Sequence, residues 1–217
     1  MAFASDSFNG TTGQELSAYS ASWSKQSGFT ANGTIGNVTA TYCMTSNATD
    51  YAMYQHSASP ASADYSVFAD CKATNTTHAS QFGPCGRMQS GSATLYFVMF
   101  RPSDGQIRLY KYVSGTATQL GSSYSFTVTA NQVYNLELRM SSSAISAHLD
   151  GTQRISTTDT DITSAGKAGI LLFRMRETGV DDRGRLEEFY ANDAGGSAAP
   201  PVRMLFKRQA VNRAASY

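Results

Sequence analysis

Charge is scarce in this chain. Only 15% of its 217 residues are Asp, Glu, Lys or Arg, and the formal net charge is +1. That near-balance excludes the strong electrostatic field of a general nucleic-acid binder. Long apolar runs are missing too. The longest, Gly169-Ile170-Leu171-Leu172-Phe173, is strand-sized and falls far short of the roughly 20 residues of a membrane span. The opening Met1-Ala2-Phe3-Ala4-Ser5-Asp6 has neither a basic start nor an apolar core, so no secretory signal is expected. Cysteine is sparse: Cys43, Cys71 and Cys85 are three, an odd number that does not suit a disulfide framework. Their spacing matches no zinc motif. Reduced thiols are the expectation. Cys71 and Cys85 would face each other only if residues 64–73 and 83–90 formed a hairpin. Asn-X-Thr triplets such as Asn32-Gly33-Thr34 and Asn75-Thr76-Thr77 read as coincidence in a Ser/Thr-rich chain without a signal.

Catalytic motifs are also lacking. No Gly-X-Ser-X-Gly elbow, phosphate loop or His-Glu-X-X-His is present. Glycosidases need a positioned carboxylate pair. The glutamates are Glu15, Glu137, Glu177, Glu187 and Glu188. Glu137 is expected as a solvated charge on the polar side of a strand. Glu187 and Glu188 are expected on opposite faces of another, because successive strand side chains alternate. His56, His78 and His148 fall in unrelated segments and read as surface or loop residues. The expectation is a non-enzyme with no catalytic residue, no cofactor and no metal.

What is present points to strands. Ser, Thr, Ala, Gly and Tyr are abundant, a bias toward strands and turns. Tyr134, Leu136, Leu138 and Met140 alternate with Asn135, Glu137 and Arg139, the period of a strand with one buried face. Ile145, Ala147 and Leu149 alternate with Ser146 and His148. Asp150-Gly151 then turns tightly into Gln153-Arg154-Ile155. Asp104-Gly105 separates Tyr96–Phe100 from Ile107–Val113 in the same way, and Asn32-Gly33 is read as a third such turn. No segment holds a helical period over three turns, and no internal repeat stands out. Residues 176–188 carry many charges plus Gly179 and Gly184, and read as a loop entering a last strand, Leu186–Ala191. The length allows one large all-β domain, residues 1–194, able to bury its own core.

Several of these segments resemble concanavalin A-like (laminin G-like) jelly rolls. Asp6-Ser7-Phe8-Asn9-Gly10 followed by Trp23 resembles the first strand. Asp64-Tyr65-Ser66-Val67-Phe68-Ala69, Tyr134–Leu138 with the hairpin Ala147–Gly151, and Ala165-Gly166-Lys167-Ala168-Gly169-Ile170 resemble inner ones. Glu188-Phe189-Tyr190-Ala191-Asn192-Asp193 resembles the last, which lies beside the first. The resemblance spans roughly residues 5–194. It implies a two-sheet antiparallel jelly-roll sandwich with one concave sheet, and it fixes no function. In such folds sugar sites use aromatic platforms. Tyr110 and Tyr112 share one strand face and are the candidates, with Tyr51 and Tyr54 in a neighbouring loop. Calcium, where relatives hold it, sits near the first and last strands, and Asp6 and Asp193 are the nearest oxygen donors here.

Beyond the domain, residues 195–217 form a Gly/Ser/Pro linker and an extended C-terminal tail. Val202, Met204 and Phe206 share one side of an extended segment, and Arg203, Leu205 and Lys207 the other. With Arg208 they make an apolar-basic strand that would add to a partner's sheet edge. A jelly roll with such a tail resembles bacteriophage virion components. The leading expectation is a capsid decoration (cement) protein docking through its termini on a major capsid protein or other virion proteins. It would be made in the host cytoplasm and assembled as a homo-oligomer such as a trimer. The alternative is a carbohydrate-binding module of a phage tail or fibre that recognises host-surface glycans. Neither nucleic acid nor membrane is an expected partner.

Overall fold

The computed structural model describes residues 2–35, 42–45, 51–175 and 183–194. Their strands are β1 (Ala2–Asp6), β2 (Trp23–Lys25), β3 (Gly33–Ile35), β4 (Cys43–Thr45), β5 (Ala52–His56), β6 (Tyr65–Ala73), β7 (Gln81–Met88), β8 (Leu95–Arg101), β9 (Gln106–Val113), β10 (Thr116–Ser125), β11 (Val133–Ser141), β12 (Ala144–Leu149), β13 (Thr152–Thr158), β14 (Lys167–Phe173) and β15 (Gly184–Asp193). Among the described residues the one α-helix, α1 (Leu16–Tyr19), is capped by Glu15, whose carboxylate accepts from the Ser17 and Ala18 amides.

The strands form two antiparallel sheets. One has eight strands in the order β13-β12-β11-β6-β15-β4-β3, with β1 added to β15; the other has seven, β10-β9-β8-β7-β14-β5-β2. β1 and β4 share one edge of β15: β1 pairs with its second half, from Phe189 to Asn192, and β4 with Leu186. The first strand thus lies beside the last, as the jelly-roll resemblance implies.

The alternation read along residues 134–140 is the alternation that builds the core. Leu136, Leu138 and Met140 of β11 are fully buried between the sheets, with Val67, Ala69 and Cys71 of β6 beside them. From the facing sheet come Tyr96, Val98 and Phe100 of β8 and Ile170 and Leu172 of β14. Each such side chain contributes about 1.5–3 kcal/mol by leaving water. The Asp150-Gly151 turn forms as expected, with φ of 50° and 76°, the left-handed pair that a two-residue hairpin between β12 and β13 requires. At the β8–β9 turn Gly105 has φ 61°, and a Cβ there would sit 2.5 Å from the Phe126 carbonyl oxygen.

Three expectations are corrected. Asn32-Gly33 closes no hairpin: β2 pairs with β5 in one sheet and β3 with β4 in the other, and Gly33 lies inside β3 against Tyr54 and Leu172. β6 and β7 are not a hairpin either, because they belong to different sheets, so Cys71 and Cys85 do not face each other. All three cysteines are buried and free. Glu187 and Glu188 do not alternate, because β15 bulges between Leu186 and Glu188. Leu186 and Phe189 both enter the core, Glu188 stands opposite Asp70, and Glu187 reaches Lys72 at 3.5 Å on the outer side.

Candidate functional site: an aromatic and arginine face

The seven-stranded sheet carries a second apolar cluster on its outer face, separate from the core between the sheets. Strand period explains it. In β8, Tyr96, Val98 and Phe100 point inward, so Leu95, Phe97, Met99 and Arg101 point outward. In β9, Ile107 and Leu109 are the inward residues, leaving Gln106, Arg108, Tyr110 and Tyr112 outside. Register then sets the neighbours: Leu95 lies opposite Tyr112, Phe97 opposite Tyr110, Met99 opposite Arg108 and Arg101 opposite Gln106.

Phe97 and Tyr110 stack at 5.3 Å between ring centroids and 9° between planes. Tyr112 leans on Phe97 at 6.1 Å, and Phe29 meets Tyr112 edge-on at 5.5 Å. Tyr110 and Tyr112 are half-buried, whereas Phe97 is buried. The two tyrosines therefore share one face, as the alternation in β9 predicts.

The segment after β2 crosses this face. β2 is the edge strand next to β5, yet Phe29 reaches Tyr112 on β9, toward the opposite edge. Along the way the Gln26 amide donates to the Met53 carbonyl at 2.9 Å, and Gln26 Nε2 donates to the Gln89 carbonyl at 2.7 Å. Phe29 packs in one cluster with Met53, Cys85, Met88 and Leu95, all fully buried.

Next to Tyr110 the face becomes polar. Tyr110 Oη donates to Gln119 Oε1 at 3.2 Å. Arg108, two residues before it on the same strand side, donates from Nε and Nη2 to Gln106 Oε1 at 3.0 and 2.8 Å. Its Nη2 also meets Asp104 Oδ2 at 2.7 Å, and Arg101 Nε approaches Asp104 Oδ1 at 3.2 Å. Tyr51 and Phe173 add a second ring pair, 4.6 Å apart, where Tyr51 Oη donates to Gln81 Oε1 at 2.7 Å. Tyr54, the other loop candidate, is not on this face: it is a fully buried β5 residue pointing inward, donating to Glu15. Sequence reading missed Phe97, Arg101, Arg108 and Phe29. Arg108 was reachable by extending the β9 alternation back from Tyr110. Phe97 lies in an all-apolar run, where no period separates the two faces.

The remaining candidates lie elsewhere. Glu137 is not solvated but 3% exposed on the outer face of the eight-stranded sheet. Its Oε1 accepts from Ser66 Oγ and Arg139 Nε, both at 2.8 Å, and its Oε2 accepts from Arg139 Nη2 at 3.2 Å. His148 is buried beside it, with Nδ1 3.8 Å from Glu137 Oε2 and Nε2 3.1 Å from Ser146 Oγ. Burial pushes the His148 pKa below its ordinary value, against the pull of Glu137. His56 is also buried in a strand, packed on Trp23 and Phe189, and burial lowers its pKa too. Only His78 fits the reading of a loop residue. Asp6 and Asp193 form no calcium site. They lie toward opposite ends of the β1–β15 pair, and the Asp6 carboxylate already accepts from Trp23 Nε1, Tyr19 Oη and the Phe8 amide. Asp193 Oδ1 accepts from the Ala61 amide at 2.7 Å. Among the described residues no three metal-ligating side chains converge. A polar depression of ≈ 430 Å³ beside β1 is lined by Asp6, Tyr19, Glu188 and Tyr190 among others. The tail residues Val202, Arg203, Met204, Leu205, Phe206, Lys207 and Arg208 lie outside the described residues.

No protein-family model matches the chain, and no curated protein is similar to it in sequence. Solved structures do match. The carbohydrate-binding module CBM66 from Bacillus subtilis aligns with a TM-score of 0.57 at 16% identity, over 77% of this chain and 91% of that one. The exoplasmic/lumenal domain of VIP36, in a Ca2+/Man-bound form, aligns with a TM-score of 0.56 at 10% identity, over 83% and 86%. The β-glucanase of Bacillus licheniformis aligns with a TM-score of 0.58 at 12% identity, over 88% and 97%. At such identities the likeness is one of fold, and the chain is an all-β jelly-roll sandwich, the fold these three proteins share.

Proposed function

We propose that this protein is a non-enzymatic carbohydrate-binding module that takes a glycan on the outer face of its seven-stranded sheet. One observation carries the reading: Tyr110 is half-exposed, stacked on Phe97 and hydrogen-bonded to Gln119, with the polar Arg108 and Gln106 further along the same face of β9. A rigid aromatic ring with polar groups at its rim suits a sugar, which offers an apolar ring face and hydroxyls at its edge. Among the described residues the one carboxylate contacting this part of the face is Asp104, and it is paired with two arginines. That favours binding over acid–base chemistry, which needs two placed carboxylates. The similarity to a carbohydrate-binding module supports the glycan role over capsid decoration as the role of the domain. Residues 195–217 are then the tether, with the segment Val202–Arg208 attaching the module to a larger assembly, a virion in this reading.

The test is a glycan screen on the intact chain with Tyr110→Ala and Tyr112→Ala beside it. Tyr110→Ala should weaken binding about tenfold or more, worth about 1.4 kcal/mol, with an unchanged unfolding midpoint. A glycan signal indifferent to both substitutions would remove this face as the site. Deleting residues 195–217 should leave glycan binding intact while abolishing attachment to particles.

A further inference from the structure

Resting on the glycan-binding reading, we infer that the sugar taken on this face is an anionic one, its carboxylate or sulfate read by Arg108 and Arg101. The two guanidinium groups converge on a single carboxylate, Asp104, at 2.7 and 3.2 Å. One positive charge is therefore left over at this end of the aromatic face. The two contacts are also unequal. Arg108 makes an aligned hydrogen bond to Asp104. Arg101 Nε is near enough for an ion pair but not aligned for a hydrogen bond, and it is a buried donor without an acceptor. The Arg101 contact is thus the weaker of the two, and the one an incoming anion would displace.

Placement supports the same ligand. Arg108 and Tyr110 are two residues apart on one face of β9, about 7 Å along the strand. A pyranose stacked on Tyr110 would carry its exocyclic acid group toward the guanidinium. Neither arginine is sunk out of reach: their side chains are 21% and 31% exposed. Gln106 fixes the Arg108 fork by accepting from both Nε and Nη2. With Nε and Nη2 so engaged, Nη1 is the nitrogen left to donate to a carboxylate or sulfate oxygen, from a guanidinium held in one orientation as a flexible ammonium would not be. An acidic peptide offers the same charge but no ring face for Tyr110, so the saccharide is the better fit.

The experiment measures binding of the intact protein to lactose, sialyllactose, sulfated lactose, oligogalacturonate and polyglutamate. The expected result is that one or more acidic saccharides bind about tenfold or more tighter than lactose, a difference of about 1.4 kcal/mol, and that added salt erodes the gap. Arg108→Gln should abolish that preference, leaving the acidic saccharides bound no tighter than lactose. Arg108→Lys should restore it only in part. Asp104→Asn removes the competing carboxylate and should strengthen acidic-sugar binding severalfold, a gain that misfolding cannot mimic. The sialyl and sulfated arms separate carboxylate from sulfate. Binding of neutral sugars that is lost in Tyr110→Ala, without an acidic preference, overturns this inference and leaves the glycan function standing. Polyglutamate binding as tight as oligogalacturonate overturns the saccharide specificity. No response to any saccharide overturns the inference and counts against the glycan function as well.

Discussion

Arg87 Nη1 donates to the Ile162 carbonyl at 2.7 Å, and the side chain that does so is only 1% exposed. Nε donates to the Ala63 carbonyl at 2.9 Å and Nη2 to the Ser142 carbonyl at 2.8 Å. Three connecting segments are thereby held by one guanidinium at the end of the sandwich. The backbone cooperates. β7 carries an extra residue opposite β14, and Arg87 sits in it with φ 46°, beside the Tyr65 hydroxyl that accepts from its amide. Replacing Arg87 with Met should cost about 3 kcal/mol or more, because several carbonyls lose their donors at once. A urea unfolding midpoint measures it, and a loss below about 1 kcal/mol would show that water replaces the side chain.

Trp23 is the sole tryptophan and reports on the packing of β1 and β15 against β2. Its Nε1 donates to Asp6 Oδ2 at 2.7 Å, while Oδ1 takes the Tyr19 hydroxyl and the Phe8 amide. Burial and Asp6 together push the Tyr19 hydroxyl up to about 12. Asp6→Ala should destabilise by about 2 kcal/mol, shift the tryptophan emission, and let Tyr19 ionise at lower pH. Fluorescence and an ultraviolet titration read the three effects.

Acid should weaken the fold before the carboxylates titrate. Burial holds His56 and His148 below the ordinary histidine range in the native state. In the unfolded chain they take up protons near pH 6.5. Below about that pH the unfolded state binds more protons, so stability falls as pH falls, until the native imidazoles are protonated as well. The expected slope is up to about 1.4 kcal/mol per pH unit for each histidine. Denaturation curves between pH 8 and 5 should show it, and His56→Asn with His148→Asn should flatten it. A wild-type curve that is flat over this range would contradict the assignment.

The cysteines should be silent until the chain unfolds. Burial pushes the Cys85 thiol well up, and burial with Asp70 and Glu187 does the same to Cys71. A thiol reagent at pH 8 should label none of the three in the native protein and all of them in denaturant. Reducing agent should leave the melting temperature unchanged.

Strand period makes much of this fold legible in the sequence. The Tyr134–Met140 alternation names its inward residues correctly, and Asp150-Gly151 names its turn, because both signals are local. Asn32-Gly33 misled because turn chemistry does not say which sheet the next strand joins, and here it joins the other one. Glu187-Glu188 misled because a bulge leaves no trace in composition. Glu137 looked solvated because a polar position on an alternating strand is normally wet, and nothing nearby in sequence announces Ser66, which sits 71 residues away. At the candidate site, Tyr110 and Tyr112 came from one strand's period. Phe97 and Arg101 became neighbours only through register, and Phe29 only through a crossing of the whole sheet.

The seven-stranded sheet keeps two oily layers apart, the core on one side and the Phe97 cluster on the other. The exposed side chains of the outer layer can therefore diverge without disturbing the packing that closes the sandwich. On the proposed reading, a lineage carrying this scaffold changes its ligand by drift at Arg108, Tyr110 and Gln119 alone. Specificity and foldability would then evolve along separate tracks, and homologues should differ most where β9 and β10 meet solvent.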